Sequence, residues 1–204
     1  MAAEHAAGGK INNIIFMGMG EPFLNYDNLI KVISVLTDHK GFAFPQTKIT
    51  VSTCGIAPKI KALADSGLRI NLAVSIVTAD AKQRNRLMPV NKKYPLVEVI
   101  KAVKYYNQKT KKQVFFEYIM FDGVNDKAED AEKLYEIIKD TDCKVNLIIY
   151  NTVKGGEFSP ARDEKTKSFQ KILVDKGIRT YQRREKGADI SAACGQLAGD
   201  NYLQ

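Results

Sequence analysis

Asn13-Ile-Ile-Phe-Met-Gly-Met-Gly-Glu-Pro22 is the stretch that decides the fold class. Residues 13–17 form a short apolar run that stops at Gly18, the pattern of a strand buried in a parallel sheet. The two glycines then let the backbone turn sharply and let a ligand approach main-chain groups. Pro22 fixes the exit from the turn. After it, Leu29, Ile30, Ile33 and Leu36 recur at helical spacing. The spacing predicts a helix over 26–38, with Asn25 or Asp27 as its cap.

Working outward, the same strand-then-helix alternation repeats. Strands are expected over 48–52, 69–76, 114–120, 144–150 and 178–182. Helices are expected over 57–66 (closed by Gly67), 79–87, 96–109, 128–139, 165–176 and 190–197. Strands that alternate with helices imply right-handed crossovers and a mainly parallel sheet. Such sheets carry their chemistry on the loops at the carboxyl ends of the strands. The Gly- and Pro-containing loop over 151–163 stands in that position. No internal repeat, low-complexity stretch or linker interrupts the pattern, so one domain over 1–204 is expected.

Composition agrees with a folded domain. The 204 residues are 45% hydrophobic and 26% charged, which excludes global disorder. Net charge is +8. That balance suits a polyanion such as RNA, and equally a solvated basic surface. The basic clusters Lys109, Lys111 and Lys112, and Arg183, Arg184 and Lys186, read as patches on a folded surface. Three widely spaced cysteines, Cys54, Cys143 and Cys194, do not form a disulfide framework, and a reducing, cytoplasmic setting fits them better. No apolar run reaches the roughly 20 residues that span a bilayer, and Met1-Ala-Ala-Glu-His5 has no signal-peptide pattern. His5 and His39 are isolated, so no metal-ligand spacing is present.

Candidate chemistry collects at the strand ends. Glu21, beside open backbone carbonyls, suits a ligand ammonium group. Ser52-Thr-Cys-Gly55 offers hydroxyls and a turn glycine, or merely a helix-capping turn. Ser75 ends the third strand, and Asn151 follows the fifth, where its amide reads a ligand edge or forms an Asx-turn. Four strand ends with Gly and Glu, Ser, Ser and Asn carry more polarity than a core needs. Cys54 and Cys143 are assigned to packing. From spacing alone Cys194 reads as a small buried hydrophobe.

Five stretches carry a resemblance. Phe16-Met-Gly-Met-Gly-Glu-Pro22, Ser52-Thr53, Met88-Pro-Val-Asn-Lys-Lys-Tyr94, Cys143-Lys-Val-Asn-Leu147 and Asp189-Ile-Ser-Ala-Ala-Cys-Gly-Gln-Leu-Ala-Gly199 resemble the RlmN group of radical S-adenosylmethionine enzymes. These are dual-specificity methyltransferases of adenine carbon 2 in 23S rRNA and tRNA. Their relative Cfr acts on carbon 8. The resemblance implies an α/β fold, a partial (β/α) TIM-like barrel of radical SAM type that lacks its first strand. It implies S-adenosylmethionine contacts at Gly20 and Glu21 for the methionyl end, and at Ser52, Ser75, Ile76, Val77 and Asn151 for the rest. It makes Cys194 the catalytic, methyl-carrying cysteine.

The chemistry explains such a cysteine. Carbon 2 of adenine is electron-poor, so polar methyl transfer from a sulfonium fails there. In the family one S-adenosylmethionine methylates the cysteine sulfur. A second, cleaved by an electron from a 4Fe-4S cluster, gives the radical that activates that methyl group. The partners implied are 23S rRNA, tRNA and an electron donor such as flavodoxin, for a cytoplasmic monomer with no membrane contact.

Two local departures stand out. The family's Ser-Leu-His reads Ser75-Ile-Val77, and the proline after Asn151 is Thr152. The family's cluster motif, Cys-x-x-x-Cys-x-x-Cys, is not in this sequence, so no cluster ligand is expected here. The reading is therefore a C-terminal fragment, inactive alone, of the methyltransferase. The alternatives are a cluster-free protein that binds S-adenosylmethionine or RNA without radical chemistry, and a basic RNA-binding module.

Overall fold

The structure, a computed structural model, describes residues 8–152 and 156–183. Its described strands are β1 (Ile14–Phe16), β2 (Ile49–Thr53), β3 (Asn71–Ser75), β4 (Val114–Met120), β5 (Cys143–Ile149) and β6 (Thr180–Gln182). Its described α-helices are α1 (Tyr26–Thr37), α2 (Ala57–Asp65), α3 (Ala81–Leu87), α4 (Leu96–Thr110), α5 (Ala128–Ile138) and α6 (Asp163–Asp175). The helix expected over 190–197 lies outside the described residues. The strands form a single sheet in the order β1-β2-β3-β4-β5-β6, and every neighbouring pair is parallel. Strictly sequential order in a parallel sheet is the winding of a (β/α) barrel, here an open partial one. The expected α/β class and mainly parallel sheet are therefore present.

Side-chain alternation assigns the two faces. On β4, Val114, Phe116, Tyr118 and Met120 are fully buried against the helix layer. Val145 and Leu147 of β5, Leu72 and Val74 of β3, and Ile49 and Val51 of β2 join them, with Ile60, Leu63, Val99, Val103, Leu134 and Phe169 from the helices. Each such side chain contributes roughly 1.5–3 kcal/mol by leaving water. The opposite, concave face carries smaller and polar groups in register. One cross-strand row is Ser75–Glu117–Asn146–Tyr181, and the row before it contains Ser52, Ala73, Phe115 and Lys144.

Local chemistry sets several boundaries. Asp80 caps α3 by accepting from Gln83 N at 2.9 Å, a contact worth about 1 kcal/mol. Helix α4 ends at Lys111 in the left-handed region, φ 56°. The cap expected at Asn25 or Asp27 is not formed. Pro22–Asn25 makes a 3-10 turn whose first N–H groups are met by Glu21, and Asn25 has no capping bond. A carboxylate one residue before a proline wins over an asparagine at the next turn. Helix α6 also starts two residues earlier than expected, at Asp163. Among the described residues no helix is long and apolar enough to cross a membrane.

Candidate functional site

A cleft of about 240 Å³ opens on the concave face at the carboxyl ends of the strands. It is walled by Phe16, Met17, Gly18, Gly20 and Glu21 from β1 and its turn, by Ser52, Thr53 and Cys54 from β2, and by Ser75 from β3. Glu117 and Ile119 of β4, Ile148 of β5 and Arg183 after β6 close the other side. The alternation that buries Val51 and Val74 against the helices is what turns Ser52 and Ser75 inward.

The glycine turn is open to this space. A Cβ placed on Gly18 or Gly20 would meet nothing within 4 Å, and Gly20 sits at φ +89°, a left-handed conformation that favours glycine. Glu21 is not idle beside it. Its Oε1 accepts from Phe23 N at 2.9 Å and its Oε2 from Cys54 N at 2.6 Å. The carboxylate thus bolts the turn after β1 to the end of β2, and each oxygen keeps further lone-pair capacity toward the cleft. Burial first, and then the Glu21 hydrogen bond and charge, push the Cys54 thiol up to about 12. It stays a neutral thiol. Cys54 is half-buried and lines the cleft, whereas Cys143 is buried on the helix side of β5. The packing expectation therefore holds for Cys143 and not for Cys54.

Of the two roles anticipated for Ser52–Gly55, the helix cap is not made: Ile56 is the N-cap residue of α2 and no side chain caps it. Thr53 Oγ1 accepts from Gly55 N at 3.1 Å and shapes the turn. Ser52 faces the cleft. Among the described residues neither the Ser52 nor the Ser75 hydroxyl has a hydrogen-bond partner.

Beneath the rim lies Arg84, 0% exposed. Its guanidinium donates to Ile76 O at 3.0 Å, Asn91 Oδ1 at 2.9 Å, and Cys54 O and Ser75 O at 3.1 Å each. It ties the ends of β2 and β3 to each other and to the turn at Pro89–Lys92. Burial pushes it down to about 10, which leaves it cationic at neutral pH.

Ile76 and Val77 do not line the cleft. Ile76 is 0% exposed, its N–H donates to Glu117 O, and its carbonyl accepts from Thr78 N at 2.8 Å. That i to i+2 bond spans Val77 at φ 64°, a γ-turn of the rare positive-φ kind and a strained place for a β-branched residue. Asn125 holds it there: its Nδ2 donates to Val77 O at 2.6 Å and to Ile119 O at 2.7 Å. Asn151, half-buried, follows β5 at the same end of the sheet and is not part of the cleft wall. Cys194 lies outside the described residues.

Sequence reasoning missed Glu117, Arg84 and Asn125. Glu117 is 5% exposed on the concave face; its Oε1 accepts from Asn146 Nδ2 at 2.9 Å, and its Oε2 has no partner among the described residues. Burial raises its pKa, while Asn146 and the Arg183 charge lower it. A lone acid inside Val114-Phe-Phe-Glu-Tyr-Ile-Met120 is the signal that sequence offers for it.

The arrangement fits a small, polar, zwitterionic ligand such as S-adenosylmethionine. It offers an open glycine turn, two hydroxyls with no partner among the described residues, and a buried carboxylate oxygen with none among them either. It does not fit an iron–sulfur cluster. Among the described residues no group of His, Cys, Asp and Glu could hold a metal ion, and Cys54 and Cys143 are separated and protonated.

Comparison with known proteins agrees with this geometry. Residues 1–138 match the Radical SAM superfamily. The chain is 47% identical over 189 residues to a probable dual-specificity RNA methyltransferase RlmN of Thermoanaerobacter sp. (strain X514), covering 93% of this chain and 55% of that protein. It is 46% identical over 202 residues to the protein of the same name from Salinibacter ruber (strain DSM 13855 / M31), covering 98% and 54%. The chain thus spans about half the length of these curated relatives. Among solved structures, a radical SAM methyltransferase from Sphaerobacter thermophilus superposes with a TM-score of 0.92 at 39% identity, over 96% of this chain and 57% of that one. A domain of pyruvate-formate lyase-activating enzyme from Bacteroides vulgatus ATCC 8482 shares the fold alone, with a TM-score of 0.66 at 16% identity over 85% of this chain and 100% of that one. The described sheet, its cleft and the sequence match converge: the chain belongs to the radical SAM superfamily.

Proposed function

We propose that this chain supplies the S-adenosylmethionine cleft of an RNA methyltransferase that modifies carbon 2 of adenine in 23S rRNA and tRNA, in the cytoplasm. The observation that carries the reading is the cleft itself, a largely apolar pocket with a few polar groups at the carboxyl ends of the parallel strands, with Gly20, Ser52 and Ser75 open to it. The RNA methyltransferase names of relatives at 46–47% identity support the substrate class.

In this reading Gly20 presents backbone to the methionyl end, and Glu21 uses its spare lone pairs for the ammonium group. Ser52 and Ser75 donate to or accept from the remaining polar edges. Ile76 and Val77 act one step behind, through the γ-turn that fixes Ser75, and Asn151 closes the rim after β5. Bound S-adenosylmethionine supplies an electrophilic methyl group and an adenosyl group. Cys194 is the sulfur that carries the methyl to the base. A thiolate suits that task because it is strongly nucleophilic. RNA, an electron donor such as flavodoxin, and a 4Fe-4S cluster held by other residues complete the assignment; the cysteines described in this chain do not form that cluster site.

The experiment has two arms. Calorimetric titration of the chain with S-adenosylhomocysteine reports the cleft, and Gly20→Val, which both fills the open turn and strains φ +89°, is expected to abolish binding. Methyl-labelled S-adenosylmethionine, given anaerobically to a polypeptide that also carries the cluster motif, is expected to label Cys194 and then RNA. Label that reaches neither, with ligand binding intact, would favour the cluster-free binding protein instead.

A further inference from the structure

We infer that Asn125 is a positioning residue of the cleft: its side-chain amide holds the strained turn at Val77 and the end of β4 in the arrangement that receives an S-adenosyl ligand. This rests on the cleft's assignment to S-adenosylmethionine.

The feature that asks for a reason is the backbone at Val77. The ladder between β3 and β4 runs in register as far as Ser75 and Glu117. Ile76 still donates its N–H to Glu117 O, but its carbonyl turns away to Thr78 N and to Arg84 Nε. The chain then passes through φ 64° at a β-branched residue. Left to itself, such a residue favours negative φ by roughly 5- to 150-fold. Strain of this kind collects at ligand sites, and it persists only where the surrounding structure holds it.

Asn125 supplies the hold. Where the ladder breaks, the carbonyls of Val77 and Ile119 need donors at the ends of β3 and β4. One amide group serves both, with Asn125 Nδ2 2.6 Å from Val77 O and 2.7 Å from Ile119 O. Its Oδ1 accepts from Phe121 N at 2.8 Å, and its own carbonyl accepts from the Tyr118 hydroxyl at 2.9 Å. Asn125 is 0% exposed, and both amide N–H groups and the amide oxygen are engaged, so its orientation is fixed. The amide acts as a substitute rung between two walls of the cleft. Ser75, two residues before Val77, lines one wall, and Ile119 lines the other. A hydroxyl or a carboxylate at this position lacks the pair of donors.

Structural glue would affect stability alone, whereas a positioning residue sets affinity in the folded chain. The full chain and two variants, Asn125→Asp and Asn125→Ala, are titrated with S-adenosylhomocysteine well below their melting transitions. Both changes are repeated together with Val77→Gly and with Val77→Ala. Alone, each Asn125 change is expected to weaken binding about 10- to 100-fold as the turn relaxes. With Val77→Gly that loss is expected to shrink below about threefold, because glycine adopts positive φ without a clamp. With Val77→Ala it is expected to stay near about tenfold, because alanine removes packing and keeps the strain. Unchanged affinity in the Asn125 variants overturns the inference, and so does an equal loss whichever residue stands at position 77. Failure of the unaltered chain to bind S-adenosylhomocysteine overturns the cofactor reading itself, and the positioning role with it. Should neither Asn125 variant fold with Val77 in place, folding and binding are expected to return with Val77→Gly and not with Val77→Ala, and any other pattern overturns the inference.

Discussion

Arg84→Met removes a fork that holds two strand ends from beneath. Four acceptors lose a donor: Ile76 O, Asn91 Oδ1, Cys54 O and Ser75 O. Ile76 O keeps its bond from Thr78 N, so three are left short. A buried acceptor without a partner costs roughly 1–3 kcal/mol, and those near the cleft recover part of that from water. Against this stands relief from burying a cation, which burial already disfavours, as the pKa pushed down to about 10 records. The balance is a net loss of about 3 kcal/mol. For a chain of this size that is a fall in Tm of roughly 6–12 °C. Two of the residues whose carbonyls lose their anchor, Cys54 and Ser75, line the cleft, so affinity for S-adenosylhomocysteine should fall at temperatures where the variant is still folded. Arg84→Lys should fall between, because an ammonium has at most three donors and no planar fork. Thermal melts followed by circular dichroism, and titration well below the transition, check both statements. A variant that melts within about 1 °C of the parent and binds with the same affinity would refute the role given to Arg84.

Gly55→Ala should be more harmful than its size suggests. Its Cβ would stand 2.9 Å from Val99 Cγ2 on α4, at a backbone φ of +106°, so strain and overpacking add to about 2–4 kcal/mol, read as a drop in denaturant midpoint. Glu117→Gln should change how stability depends on pH. Burial raises the folded-state pKa of Glu117, so the folded parent keeps a proton that its unfolded chain has released, and this group's contribution falls as pH rises from the ordinary carboxylate value to the raised one. The variant lacks that loss. Its stability relative to the parent should therefore rise between acid and neutral buffers, and urea melts showing a flat difference would contradict the assignment.

Much of the fold is legible in the sequence because parallel strands and their crossover helices have different hydrophobic periods. Val114–Met120 has the same boundaries in pattern and in structure, since seven apolar-rich residues between polar turns admit little else. The strand expected over 69–76 shortens to Asn71–Ser75; at its end Ile76 keeps its N–H on Glu117 O, but its carbonyl turns to Thr78 N in the γ-turn at Val77. No periodicity signals a positive φ at a valine; only the tertiary clamp from Asn125 does. The rim residues Gly20, Glu21, Ser52 and Ser75 are legible as polar strand ends, and the structure gathers all four in one cleft. What a pattern cannot show is the second layer. Arg84 looks like any basic residue on a short helix, and its burial follows from where α3 docks. Glu21 reads in sequence as a ligand group alone, because its two backbone donors, Phe23 N and Cys54 N, meet only after folding.

The sheet's unbroken numerical order has a mechanical corollary. Every described strand is zipped to its chain neighbours, so among the described residues no strand is threaded between two others. Among the described residues no strand pairs with the outer edge of Ile14–Phe16, and Ile15 is 56% exposed there. Another parallel strand can be laid along that flank without unfastening a single pairing already made, so the trough can widen toward a closed ring by accretion alone.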